Sequence, residues 1–163
     1  MAKVFVGIGA NLGDRAAYVE HARVALAGLD RTDLVGFSGV YETDAVSPVP
    51  QDPYLNAAAR IQTELDLVEL LDALTDIELS HGREPLEQRV KWGPRTMDLD
   101  ILLYDDRVVS SDELVIPHPM MHERWFVLKP LNDLDPNAVH PLLQMTVGDL
   151  LKYAEDSQKK KES

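Results

Sequence analysis

Thr96 to Tyr104 is an apolar run broken by two aspartates one residue apart, Asp98 and Asp100. A run this short and this apolar predicts a buried strand. Successive side chains of a strand point to opposite faces. Asp98 and Asp100 therefore project together, and Met97, Leu99, Ile101 and Leu103 are expected to enter the opposite layer. Aspartate is a poor strand former, and like charges side by side repel. Such a pair calls for a cation between its carboxylates. Oxygen-only ligands suit Mg²⁺, which takes one or two carboxylates and fills its shell with phosphate oxygens and water. A solvated strand face is the alternative.

The rest of the chain supplies partners for that strand. Val4 to Ile8 is a β-branched run ending at Gly9, read as a strand. Asp14 caps a helix expected over 15–29, and Leu34 to Tyr41 reads as a second strand. Thr43 to Pro53 holds three prolines and is excluded from regular structure. Tyr54 to Leu65 resumes the strand pattern. Asp66 and Glu69 form a capping box at the head of an amphipathic helix over 67–81, which Gly82 ends. After the aspartate strand, Asp105-Asp106 makes a turn, and 107–116 reads as a hairpin partner. A short helix is expected near 121–128, and Thr146-x-x-Asp149 opens a last one. The order β-α-β-β-α-β predicts an α+β, ferredoxin-like sandwich with an antiparallel sheet and extra C-terminal helices. We expect a single domain over 1–154 and a charged, disordered tail over 155–163.

Composition narrows the partners. The 163 residues carry sixteen Lys and Arg against twenty-eight Asp and Glu, a net charge of -12. A surface of that sign repels nucleic acid. With no cysteine, disulfides and thiolate metal sites are excluded. The N-terminal apolar run is too short for a signal peptide, and no stretch is long enough to span a membrane, so a cytoplasmic protein is expected.

Positive charge is local. Arg83, Arg89, Lys91 and Arg95 stand against Glu84 and Glu87 alone, directly before the paired aspartates. Arginine beside Mg²⁺ is a common means of neutralising a phosphoryl group in transfer. A solvated surface loop is the alternative. Trp92 within that segment either covers a bound ring or anchors the loop. Gly7-Ile-Gly9-Ala-Asn11-Leu-Gly13 misses the dinucleotide fingerprint by one place and is read as a tight strand-to-helix turn. No Gly-Lys pair exists, so there is no Walker phosphate loop. His118 between two prolines reads as a hydrogen-bonding histidine rather than a zinc ligand. Arg124 is either a phosphate contact or a surface ion-pair partner. Tyr54 and Asn56 share a strand face, where an aromatic plate and an amide would suit a flat heterocycle or simply pack in the core.

Taken in order, Gly9-Ala-Asn-Leu-Gly13, Tyr41-Glu-Thr43, Tyr54-Leu-Asn-Ala57, the block from Trp92 to Leu103, Ile116-Pro-His-Pro119 and the block from His122 to Leu128 resemble the 6-hydroxymethyl-7,8-dihydropterin pyrophosphokinase family over about residues 3–150. The resemblance implies transfer of pyrophosphate from MgATP to the hydroxymethyl group of the dihydropterin, with release of AMP, in folate synthesis. It implies two Mg²⁺ ions per site on Asp98 and Asp100, with Arg83 and Arg95 as catalytic partners. It implies an ATP side built from Leu71, Glu78, Arg83, Trp92, Arg95, Ile101, His118 and Arg124. The pterin side would comprise Thr43, Asp44, Val46, Tyr54, Asn56, Trp92 and Phe126. The chain departs from the family pattern after Thr43, where Asp-Ala-Val-Ser-Pro-Val-Pro replaces a Pro-x-Gly element. A monomer acting on small molecules, with no nucleic acid or membrane partner, is expected. The rivals are a non-catalytic nucleotide sensor and an RNA-binding domain of the same fold; the acidic charge and the lack of an aromatic ribonucleoprotein motif argue against the second.

Overall fold

The chain is seen in a computed structural model that describes residues 1–44, 53–82 and 97–162. Strand β1 (Ala2–Ala10) lies at the heart of the sheet. Helix α1 (Arg15–Ala27) follows, its first turn held by the Asp14 carboxylate, which accepts from Ala17 N at 3.1 Å. Then come β2 (Thr32–Phe37), β3 (Tyr41–Thr43), β4 (Tyr54–Thr63) and α2 (Leu67–Ser80). The aspartate strand is β5 (Asp98–Tyr104). Strand order is β2-β4-β1-β5, with β3 also paired to β4, and every pairing is antiparallel. This is the ferredoxin-like arrangement read from the sequence.

The two faces of this sheet serve two cores. Val4, Val6 and Ile8 of β1, Ala57, Ala59 and Ile61 of β4, and Leu99 and Ile101 of β5 pack under Val19, Ala22 and Leu26 of α1 and Leu70, Leu74 and Ile77 of α2. The opposite face is covered at one end by the elements C-terminal to β5. A small hairpin, β6 (Val109–Ser110) and β7 (Val115–Ile116), leads into a 3₁₀ turn over Met121–Glu123 and helix α3 (Trp125–Leu134). A second hairpin, β8 (Val139–His140) and β9 (Met145–Thr146), precedes α4 (Val147–Glu162). Phe5, Leu102 and Leu103 pack there against Leu128, Leu131, Val147 and Leu150.

Several expectations change. The glycine run is not a turn at Gly9: β1 continues to Ala10, and the turn falls at Gly13, whose φ of +73° favours a residue without Cβ. The expected strand over 34–41 divides into β2 and β3. Leu103 joins the second core instead of the first. A register shift opposite Phe5 and Val6 inserts one extra residue in β5, which reverses the alternation beyond Ile101. The helix expected over 121–128 is a 3₁₀ turn and a longer α3 that runs through Pro130, because the buried side of α3 outweighs one missing N–H bond. The tail expected to be disordered continues α4 through Glu162; its Glu, Gln and Lys are good helix formers.

Candidate active site

Directly opposed residues of neighbouring strands point to the same face. Gly9 of β1 stands between Asn56 of β4 and Asp98 of β5, and Gly7 stands between Ala58 and Asp100. Beyond β4, Tyr41 opposes Asn56, and Thr43 opposes Tyr54. One face of the sheet therefore carries, side by side, the two aspartates, two glycines, Asn56, Tyr54 and Thr43. Strands lie about 4.8 Å apart, so Asn56 and Asp98 are separated by roughly 10 Å, with only Gly9 between them. The residues one place along, Ile8, Ala57 and Leu99, are buried under the helices.

The amide end of this row is fixed. Asn56 Nδ2 donates to Thr43 Oγ1 at 2.8 Å and, at 3.5 Å, to Tyr41 O. Both amide hydrogens are thereby turned towards β3, and Oδ1 is turned towards Gly9. A Cβ on Gly9 would lie 3.9 Å from that oxygen and 3.5 Å from the Tyr54 ring. The absence of a side chain at Gly9 lets the Tyr54 ring and the Asn56 amide oxygen approach the strand backbone here. Tyr41 OH donates to Asp133 Oδ2 of α3 at 2.6 Å, and Gly39 N donates to the same atom at 3.1 Å, which ties β3 to the helix above. Asp44 lies just past β3 at an exposed position.

The other side of the row is formed after β5. His118 N donates to Leu102 O at 3.1 Å, continuing the outer edge of β5. His118 is half-buried, and its buried Nδ1 has no hydrogen-bond partner among the described residues. Burial, and then the nearby Arg124 guanidinium, push its pKa below the usual imidazole value. Arg124 sits at the junction of the 3₁₀ turn and α3, and its guanidinium carbon is 6.0 Å from the centroid of the Phe126 ring. The Phe126 ring meets Trp125 edge-on.

Glu78 and Leu71 belong to α2, on the helix side of the sheet. Glu78 reaches the β5 edge: its Oε2 accepts from Leu99 N at 2.8 Å, and the side chain is buried. The Ile101 side chain lies in the helix-side core, so it does not share the face of Asp98 and Asp100. Val46, Arg83, Trp92 and Arg95 lie outside the described residues. Sequence reading missed the part played by Gly7 and Gly9; two glycines at a spacing of two inside a β-branched run were the available signal. Among the described residues no group of three or more His, Cys, Asp or Glu converges on a metal position. The aspartates are a hard, oxygen-only pair, which fits an ion that completes its shell with phosphate and water.

The chain that carries this arrangement matches a known family. The model of 7,8-dihydro-6-hydroxymethylpterin-pyrophosphokinase (HPPK) fits residues 5–136. The chain belongs to the HPPK family. A 2-amino-4-hydroxy-6-hydroxymethyldihydropteridine pyrophosphokinase of Haemophilus influenzae is 38% identical over 156 residues, 96% of this chain and 95% of the relative. One of Bacillus subtilis is 40% identical over 130 residues, 80% of this chain and 76% of the relative. Among solved structures, a Plasmodium falciparum HPPK-DHPS shares the fold with a TM-score of 0.73 at 15% identity; the match covers 100% of this chain and 45% of that one.

Proposed function

We propose that the Asp98 and Asp100 face of β5 is where this HPPK-family chain holds the phosphates of MgATP against a dihydropterin seated over Gly9. The family reaction is transfer of pyrophosphate from ATP to 6-hydroxymethyl-7,8-dihydropterin in folate biosynthesis. The hydroxymethyl oxygen bonds to the β-phosphorus, the bond from that phosphorus to the α-bridging oxygen breaks, AMP leaves, and the hydroxyl proton is released. The observation that carries the site reading is the shared face of Asp98, Asp100 and Asn56 with only glycine between them.

Asp98 and Asp100 are the residues that would hold Mg²⁺, in our reading two ions. When bound, the metal neutralises phosphate oxygens and fixes the chain for in-line attack. Tyr54 and Phe126 supply aromatic surfaces for the pterin, and Asn56 Oδ1 accepts from a ring N–H. Thr43 holds Asn56 in that orientation. Asp44 and Val46 belong to the same pterin side in this reading. His118, whose Nδ1 has no partner among the described residues, and Arg124 face the nucleotide; Leu71 and Ile101 are assigned to the nucleotide side by resemblance alone. By resemblance, Arg83 and Arg95 would add positive charge as the phosphoryl group is transferred, and Trp92 would bind on both the ATP and the pterin side. No general base is assigned; orientation and charge stabilisation do the work. We further propose a monomer acting in the cytoplasm, consistent with the finding that none of the described helices is long and apolar enough to cross a membrane.

Calorimetry with a non-hydrolysable ATP analogue tests the order of events. Binding should require Mg²⁺, and dihydropterin should bind after it. A coupled assay for AMP separates this reading from a sensor: nucleotide binding without AMP formation in the presence of the pterin overturns catalysis.

A further inference from the structure

Glu78 is a carboxylate in an unfavourable place. It lies in the last turn of α2, where the helix dipole disfavours negative charge, and its residue is only 6% exposed. Burying a carboxylate is costly unless its oxygens accept hydrogen bonds. Here Oε2 accepts from Leu99 N at 2.8 Å. Leu99 is the residue between Asp98 and Asp100, and β5 ends the strand order of the sheet. In an antiparallel pair, alternate residues turn their N–H and C=O towards the neighbour or away from it. Since Leu99 N turns to Glu78, the peptide groups of Asp98 and Asp100 are those that face Gly9 and Gly7 of β1. The strand is thus gripped from both sides over three consecutive residues. A buried edge N–H left without an acceptor would let this end of β5 shift.

We propose that Glu78 is a positioning residue: its carboxylate, acting through the Leu99 amide, holds Asp98 and Asp100 in register. This rests on the reading that those two aspartates hold the metal. The role needs an acceptor at Oε2, not a charge touching the nucleotide. Glu78→Gln keeps an acceptor; Glu78→Ala removes it.

Three readouts test the proposal: turnover against Mg²⁺ concentration, KM for ATP, and hydrogen exchange of the Leu99 amide. In Glu78→Ala, the Mg²⁺ needed for half-maximal turnover should rise about tenfold and kcat should fall about tenfold to a hundredfold, the usual scale for groups that orient metal ligands. Leu99 exchange should rise with it. Glu78→Gln should restore most of all three. The proposal is overturned if Glu78→Gln is as impaired as Glu78→Ala with the loss confined to KM for ATP, for then the charge contacts the nucleotide. Unchanged Leu99 exchange in Glu78→Ala overturns it as well. If Glu78→Ala does not fold, Glu78→Gln decides alone: wild-type Mg²⁺ dependence and exchange support the proposal, and a defect in either refutes it. Asp98→Asn is the control for the underlying reading. Full turnover in Asp98→Asn sinks the metal assignment, while Leu99 exchange still reports whether Glu78 holds the strand.

Discussion

One face of the sheet is built in two different ways along the same strands. Phe5 near the start of β1 lies in a core with Leu103, Leu128 and Leu131, closed over by α3 and α4. Gly9, four residues on, has Asn56 on one side and Asp98 on the other. The covered half follows the ordinary logic of burial, where each large apolar side chain removed from water contributes about 1.5–3 kcal/mol. The open half, among the described residues, forgoes that gain and gathers like charges and polar groups instead. Gly7 marks the boundary: a Cβ there would sit 3.3 Å from the Leu102 side chain, while a Cβ on Gly9 would make only ordinary contacts. A strand that gives up packing over half its length while the same strand packs well over the other half is spending stability on a site.

The comparison predicts opposite outcomes for the two halves. In the open half, Asp98→Ala and Asp100→Ala should each lower turnover by about a thousandfold or more, on the scale of lost charge stabilisation in transfer reactions. Both variants should remain folded, because neither side chain belongs to either hydrophobic core. AMP release and thermal unfolding measure the two effects. Turnover near that of the unsubstituted chain would remove the basis for the site. In the covered half, Leu131→Ala should do the reverse, costing about 3 kcal/mol of stability through the cavity it leaves. Its folded fraction should keep kcat within about threefold, since no reacting group is displaced. A large fall in kcat would mean that the covered half does more than support.

The boundary glycines sharpen the contrast at a smaller scale. Gly7→Ala presses on Leu102 and should cost about 1 kcal/mol of stability, with KM for the pterin little changed. Gly9→Ala should leave stability within about 1 kcal/mol and raise KM for the pterin about tenfold, because its methyl group stands on the floor between Asn56 and Asp98. Equal effects of the two substitutions on pterin KM would erase the boundary.

Much of this was legible in the chain. The alternation around Asp98 and Asp100 forces both carboxylates to one face, and β5 delivers them so. The Asp66 and Glu69 capping box forms as read, with Glu69 N donating to Asp66 at 2.8 Å. Asp149 N donates to Thr146 Oγ1 at the head of α4, also as read. What escaped depends on contacts distant in sequence. Gly7 and Gly9 look like a turn because glycine is a poor strand residue in isolation; only their register against β4 and β5 shows that they stand between β4 and the two aspartates. Leu103 changes layer because of a bulge that pairing, not local preference, creates. Glu78 meets Leu99 across 21 residues, and no periodicity announces such a pair.

The smallest expected effect sets one histidine from each half against the other. His140 lies in the covered half, only 4% exposed, with its Nδ1 accepting from Leu142 N and Leu143 N. His118 borders the open half. Both have pKa values pushed down: His118 by burial and then by Arg124, His140 by burial and then by His122. A histidine whose folded pKa is lowered binds fewer protons than its unfolded counterpart once pH drops below the unfolded value of about 6.5. Stability should therefore be flat above about pH 7 and fall as pH falls through that value towards the lowered folded pKa. His118→Gln should remove part of this slope and leave the part due to His140. Saturating Mg²⁺ and ATP analogue should also flatten the His118 part, since phosphate beside Nδ1 favours the protonated ring and lifts its pKa back. Denaturant midpoints at about pH 7.5 and 5.5, either side of the ordinary imidazole value, with and without the analogue, measure both effects. An analogue that flattens the slope equally in His118→Gln would move the nucleotide away from His118, and with it the inner border of the open half.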